Sequence, residues 1–470
     1  MNISNLKSRK AWILVIFVFF LVMSFSYTYD NFANASNYPN LPLFKHSDRI
    51  LVIAPHPDDE SLGTAGVIKK ALEENSTVLV VVVTDGSDET NAKKFSNFKK
   101  QTNIHNRADL VETRHQQTLK AMRTLGLNKS DVMFLGYPDS GLKTMFEDYW
   151  DPNHPYHSET FFNHSNHSPY TYSYQENAQY TGYNLNKNIE QIITDYKPNI
   201  IFYPDGEDAH LDHWATNAFV MYAMAETDYK GKNYSYLVHG GNNWPSMYLY
   251  PLDDNLIPPT ALNNHQCKWI VAPLNGTEIK AEQTAINSYQ LEIYLYGDLN
   301  SFIRNNELFA VHAPLKLEKI YKTDFFKDGL PISSFKNVLV DPKTRILGQP
   351  TVLSTIGLAY NNQNLYLLLK NSKNINKHLV YYFHFRIYNG QEFKRIDIKV
   401  TNGRAEYQNK AINSIQPNKN PSIQTQGNLM VLTLPIDNFN SASFIMMNSE
   451  VYDNQDKILL YLTPWKELKL

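Results

Sequence analysis

Between residues 50 and about 240, short β-branched apolar runs alternate with segments of helical period. The runs cover 50–54, 77–84, 132–135, 200–203 and 236–238. Helical patterns occupy 65–72, 110–125, 189–193 and 214–224. The second of these carries apolar residues at 110, 111, 119, 122 and 125, which share one face of a 3.6-residue helix. Strand–helix alternation predicts an α/β domain, a parallel sheet with helices on both faces. Ligands of such sheets bind beyond the carboxyl ends of the strands. The stretch 143–184 is rich in Tyr, His, Asn and Pro, has no clean period, and reads as a long insertion forming an exposed aromatic rim.

After about residue 335 the period changes. "NLYLLLK", "YYFHFRIY", "RIDIKV", "LMVLTLPI" and "KILLYL" are short strand-forming runs, and Asn389-Gly390 and Asn402-Gly403 are tight-turn dipeptides. These features predict a C-terminal all-β sandwich over 335–470, following an α/β domain over 45–325. A unit with its own core can fold alone, so a chain ending near 330 is expected to keep the fold and the properties of the first domain. The expected role of the sandwich is to brace the first domain or to bind its ligand weakly.

The amino terminus has a different character. Lys7, Arg9 and Lys10 precede an unbroken apolar run from 11 to 23, followed by Ser24, Phe25 and Ser26. A basic flank before an apolar stretch marks residues 1–27 as a signal peptide, or as a membrane anchor if uncleaved. Either case predicts an exported protein, periplasmic, secreted or anchored with its catalytic domain outside the cytoplasm. A single cysteine, Cys267, excludes an intramolecular disulfide and a thiolate metal cluster within one chain. A formal net charge of −2 argues against a nucleic-acid partner.

The chemistry gathers at two strand ends. The run at 50–54 leads into His56-Pro57-Asp58-Asp59-Glu60, and the run at 200–203 leads into Asp205, Glu207, Asp208, His210, Asp212 and His213. One such stretch reads equally well as a polar loop capping a helix. Two at equivalent ends of one parallel sheet point to a metal site. Without thiolates, zinc takes imidazole nitrogen and carboxylate oxygen, and a catalytic zinc keeps three protein ligands. His56, Asp59 and His213 are the candidate ligands for one Zn2+ per chain, or for another divalent metal. Asp58 is the candidate general base, and His210 faces the oxyanion or the leaving amine, with Asp212 orienting it. Glu60 either supports this shell or favours the helix N-terminus electrostatically.

"APHPDDE" together with "HLDH" resembles the PIG-L/LmbE-like family of zinc-dependent N-deacetylases. Supporting stretches are "TDG" at 84–86, "ETRHQQTLKAMRTLGL" at 112–127, "YPDSGL" at 137–142 and "HGGNNWP" at 239–245. The resemblance covers roughly 48–300. It implies a Rossmann-like fold and removal of an N-acetyl group from an N-acetylglucosamine-type sugar or glycoconjugate. It also implies the same roles for His56, Asp59, His213, Asp58, His210 and Asp212. Arg114 and Asp139 fall where the family contacts the sugar, and His239 falls on the rim. Where the family helix shows Arg-x-x-Glu, this chain has Gln117 after Arg114. Two other functions fit the residues less fully: hydrolysis of another N-acyl amide, and non-catalytic glycan binding, which needs neither Asp58 nor His210.

Overall fold

The computed structural model describes residues 38–88, 107–158, 165–241, 244–245, 254–259, 262, 267–297, 299–321, 325–326, 338–340, 353–371, 378–408, 414–415, 417, 419–453 and 457–470. The 1–27 segment expected to direct export lies outside them. Among the described residues no helix is long and apolar enough to cross a membrane.

The first sheet is built from β1 (Arg49–Ala54), β2 (Thr77–Thr84), β3 (Val132–Tyr137), β4 (Ile200–Pro204), β5 (Lys232–Tyr236), β6 (Cys267–Pro273) and β7 (Asn306–His312). Its order is β3-β2-β1-β4-β5-β7-β6. The first five run parallel, with Ile50 beside both Val78 and Ile200. β7 and β6 then close the edge antiparallel. The expected parallel sheet is therefore a mixed one. β1 is flanked on both sides and covered on both faces, which explains why it is apolar from Ile50 to Ala54.

Helices α1 (Asp59–Glu73), α2 (Arg107–Leu125), α3 (Leu142–Glu147), α4 (Gly182–Tyr196), α5 (Leu211–Glu226), α6 (Gly276–Ile286) and α7 (Gln290–Tyr296) cover the sheet. Alternate strand residues serve opposite faces. Val52, Val80 and Phe202 pack with Ile68, Met122 and Ile286 on one side. Leu51, Val81 and Ile201 pack with Phe146, Ile189 and Phe219 on the other. The 143–184 stretch differs from its expected form. It contains most of α3, and Trp150, Ala178 and Tyr180 are buried in the second face, with Tyr174 and Tyr183 left exposed. It runs along the outer edge of β3, where Tyr174 N donates to Phe134 O at 2.8 Å, so its aromatics cover a sheet edge.

The remaining strands are β8 (Leu315–Lys316), β9 (Glu318–Lys319), β10 (Val338–Val340), β11 (Leu353–Tyr360), β12 (Asn364–Asn371), β13 (Leu379–Tyr388) and β14 (Phe393–Thr401). They continue with β15 (Arg404–Gln408), β16 (Ser422–Gln426), β17 (Leu429–Pro435), β18 (Phe444–Asp453), β19 (Ile458–Leu462) and β20 (Lys466–Lys469). One sheet runs β10-β11-β12-β17-β16 and the other β15-β14-β13-β18-β20-β8. Leu358, Leu367 and Leu432 of the first meet Phe383, Phe385, Ile398 and Met447 of the second, forming the sandwich core.

The outer face of the second sheet is not solvated. His384, Arg386, Arg395, Asp397, Asn448 and Glu450 lie on it and are all buried. Arg395 Nη2 donates to Glu147 O at 2.7 Å, Lys143 pairs with Glu450 at 2.7 Å, and Phe393 stacks on Tyr222 with ring centroids 3.4 Å apart. Phe393, Met446, Leu462 and Trp465 join the same apolar cluster as Phe146 and Phe219. The sandwich therefore shares a core with the α/β layer, and this corrects the expectation that the two halves separate cleanly. Contact through a shared core, unlike contact through a linker, leaves large apolar rings in water when one half is removed.

Candidate active site

The candidate residues come from the carboxyl ends of the five parallel strands. β1 delivers His56, Asp58 and Asp59; β2 delivers Asp85 and Gly86; β3 delivers Asp139; β4 delivers Asp205 to His213; β5 delivers His239. Side chains from 56 to 239 in sequence thus meet on one edge.

Three atoms form the centre. His56 Nδ1 lies 3.0 Å from Asp59 Oδ2, His213 Nε2 lies 3.0 Å from the same oxygen, and the two nitrogens are 3.2 Å apart. The other nitrogen of each ring faces carboxylates. His56 Nε2 meets Asp139 Oδ1 and Asp212 Oδ2, both at 3.3 Å, and His213 Nδ1 meets Asp208 Oδ2 at 3.1 Å. Protons on those outer nitrogens leave two imidazole lone pairs and a carboxylate oxygen converging on one point, an arrangement that repels unless a cation fills it. Ligand atoms around a tetrahedral ion with ~2.05 Å bonds are about 3.3 Å apart, so the trio fits a zinc-sized ion.

The electrostatics show the same demand for positive charge. Burial opposes the His213 imidazolium, but Asp208 and Asp59 outweigh it and raise the group to about 9. His56 is likewise raised well above its usual range, burial being overcome by Asp139, Asp212 and Asp59. Burial also opposes ionisation of Asp59, yet His213 and His56 hold its carboxyl well below the usual range. His210 is different: burial, then the charges of His56, His213 and His239, push it well below the ordinary value, so it is neutral at pH 7. Its Nδ1 accepts from Asp212 N at 3.2 Å, which places the proton of the neutral ring on Nε2.

Asp58 precedes α1 at φ 136°, a region that L residues rarely occupy. Its neighbours hold it there. Its N–H donates to Glu60 Oε2 at 3.1 Å, and Glu60 in turn accepts from Tyr289 Oη. Arg114 Nη2 donates to Pro57 O at 2.9 Å and approaches Asp58 Oδ2 at 3.4 Å. Burial raises the Asp58 carboxyl well above the usual range, against the pull of Arg114. Burial likewise lifts Glu60 to about 7. Gly86, at φ +63°, lies where a Cβ would fall 2.7 Å from Arg114 Nη1, so the "TDG" glycine lets the guanidinium approach.

The expected orienting role of Asp212 changes, and Asp139 and Arg114 face protein groups in the structure. Asp212 does not orient the His210 ring through its carboxylate. That group accepts Ser140 N at 2.6 Å and Leu142 N at 3.0 Å and faces His56. Asp139, expected to contact sugar, also faces His56 while accepting Asp88 N at 2.9 Å. Arg114, expected to contact sugar, is directed to the loop backbone, with Nη1 on Gly86 O at 2.8 Å and Nε 2.6 Å from Glu292. Glu292 therefore supplies a carboxylate beside Arg114. Gln117, with its amide turned to satisfy its neighbours, donates to Glu292 at 3.0 Å. The His239 side chain is 44% exposed, with Nδ1 3.0 Å from Asp208 Oδ1.

Asp208 stands in the sequence cluster without a role that spacing can assign. In the fold it also accepts backbone N–H groups from His210 at 2.9 Å, Val238 at 3.0 Å and His239 at 2.9 Å. Tyr289 and Glu292 lie some 230 residues from the loop they support and give no local signal.

Residues 51–224 match the family described as PIG-L, GlcNAc-PI de-N-acetylase. A relative from Bacillus subtilis (strain 168), named probable N-acetyl-alpha-D-glucosaminyl L-malate deacetylase 2, is 28% identical over 179 residues. The match covers 38% of this chain and 61% of the relative, so the chain spans about three fifths of the relative's length. Similar solved structures include the A40926 pseudoaglycone deacetylase Dbv21, at 16% identity and TM-score 0.36, covering 56% of this chain and 96% of that one. The N,N'-diacetylchitobiose deacetylase from Pyrococcus horikoshii has 17% identity and TM-score 0.32, with coverage of 56% and 83%.

Proposed function

We propose that this PIG-L domain is a zinc-dependent N-deacetylase acting on an N-acetylglucosamine-type sugar or glycoconjugate. The observation that carries the reading is the convergence of His56 Nδ1, Asp59 Oδ2 and His213 Nε2 within 3.2 Å of one another, with Asp58 next to Asp59. The relative's name, an N-acetylglucosaminyl deacetylase, supports the substrate class. His56, Asp59 and His213 hold the ion, and Asp208, Asp139 and Asp212 fix the two rings. A divalent ion in this place supplies Lewis-acid polarisation of the acyl carbonyl and lowers the pKa of the attacking water.

Asp58 takes the proton of that water as its oxygen bonds to the carbonyl carbon. Neutral His210 donates its Nε2–H to the oxygen on which charge develops. The C–N bond then breaks, and Asp58 returns the proton to the departing amine, leaving acetate. Arg114 holds the Asp58 loop, and His239 stands at the entrance. The basic and apolar amino terminus supports a protein that works outside the cytoplasm, on a substrate met there or at a membrane surface.

The test is acetate release by metal-loaded chain from N-acetylglucosamine, its oligomers and its lipid conjugates, beside elemental analysis. The reading expects one zinc per chain and release from at least one of these classes. Release only from non-sugar acetamides would replace the substrate class, and turnover unaffected by complete chelation would overturn the metal.

A further inference from the structure

The loop between β19 and β20, Thr463-Pro464-Trp465, reaches out of the sandwich and lies against the start of α5, where His210 caps the helix and His213 follows. Trp214, next to His213, donates its Nε1–H to Thr463 O at 2.8 Å. Thr463 is pinned to the sandwich in turn, its N donating to Ser449 O at 2.9 Å and its Oγ1 accepting Ser449 N at 2.8 Å. A Cβ placed on Gly206 would meet Pro464 Cβ at 3.1 Å, so the two loops touch at backbone distance. At the other end Lys466 Nζ lies 3.3 Å from His312 Nδ1 and 3.6 Å from Glu207. An ammonium only donates, so His312 Nδ1 accepts and its Nε2–H faces Asp205 Oδ2 at 2.7 Å. Asp205 Oδ1 accepts Glu207 N at 2.7 Å and closes the turn that precedes Asp208.

We infer that residues 463–466 of the sandwich are positioning residues for the proposed metal site. They hold the 205–214 loop at both ends, and so keep His210, His213 and Asp208 in register with His56 and Asp59. The reasoning is geometric. His56 and Asp59 sit on a turn between β1 and α1, fixed by Glu60 and Arg114. Residues 205–214, the loop after β4 and the first turn of α5, reach the same point from the β4 side. Ligand placement to within a few tenths of an ångström needs such support. This inference rests on the proposed function, and it assigns the C-terminal half a part in that function beyond the sharing of a core.

The test uses the full chain with Trp214→Phe, Lys466→Ala and Lys466→Arg, and with Phe393→Leu as an interface variant remote from the loop. Three quantities are read: zinc affinity by chelator competition, amide exchange of 205–214 in metal-free chain, and kcat and KM for acetate release. Trp214→Phe and Lys466→Ala are expected to weaken zinc binding about tenfold, the low end for supporting residues. They should also speed exchange in 205–214 and lower kcat with KM within about twofold. Lys466→Arg should recover most of each effect, and Phe393→Leu should lower Tm without them. If Trp214→Phe and Lys466→Ala lower Tm as Phe393→Leu does but leave zinc affinity and loop exchange unchanged, the sandwich is only a structural neighbour and the inference is overturned. Exchange is measured without metal or substrate, so a wild type that releases no acetate counts against the proposed function and leaves this test intact.

Discussion

Asp208→Asn separates a supporting carboxylate from a merely buried one. Both oxygens of Asp208 already accept. Oδ2 takes Val238 N and His239 N and faces His213 Nδ1, while Oδ1 takes His210 N and faces His239 Nδ1. Asparagine has almost the same shape but one oxygen. In either orientation its NH2 group therefore points at N–H donors. If it takes the Oδ2 place, it opposes two backbone N–H groups and favours a His213 tautomer with the proton on Nε2, which removes the lone pair that faces the ion. If it takes the Oδ1 place, it opposes His210 N. Burial works against charge on Asp208, but His213 and His239 hold its carboxyl well below the usual range, so the lost charge is a real one. Partners of metal-bound histidines are typically worth about 10- to 100-fold in affinity, or roughly 1.4 to 2.7 kcal/mol. Chelator competition on Asp208→Asn should show a loss in that range, with turnover recovering at saturating zinc. Affinity within twofold of wild type would show that Asp208 does not set the His213 tautomer, and the ligand reading of His213 would lose its main support.

Asp58→Asn should leave zinc content unchanged and slow acetate release by about 10² to 10⁴, the usual worth of a general base; metal analysis beside steady-state kinetics checks it, and near wild-type turnover refutes the role. A chain ending near residue 330 should be insoluble or melt well below the full chain, because removing the sandwich exposes Phe146, Trp214 and Tyr222 and leaves β8 without β20; a soluble truncation with native Tm would contradict the shared core. Asp397 provides a pH test. Burial opposes its charge, but Arg386, Arg395 and His384 hold it well below the carboxylate range. A depressed folded pKa gives stability that is present above the unfolded value of about 3.9 and is lost as pH falls toward the folded one. Tm profiles between about pH 2 and 6 should therefore fall less steeply on acidification for Asp397→Asn than for wild type, from a lower starting Tm at pH 6.

The sequence by itself determined the inner strands, the helices that cover them and the two clusters of candidate ligands. Those features are local. An apolar β-branched run reads as a buried strand whatever surrounds it, and "HPDDE" and "HLDH" follow such runs directly. Strand ends of a parallel sheet share one edge, so two clusters separated by about 150 residues could be placed together before any coordinates. What each carboxylate faces was not local. Asp212 is two residues from His210 in the chain, yet its oxygens meet His56, Ser140 and Leu142, because the first turn of α5 points the side chain across the site. The protein groups that Arg114 and Asp139 face were hidden for the same reason, since the partner of a long or buried side chain depends on which loops stack over it. The sandwich shows this most plainly. Its strands alternate apolar and polar residues, and alternation cannot distinguish a polar face in water from one pressed against another layer. His384, Arg386, Arg395 and Asp397 fall on the polar positions of those strands, and the docking of that face on α3 and α5 buries them.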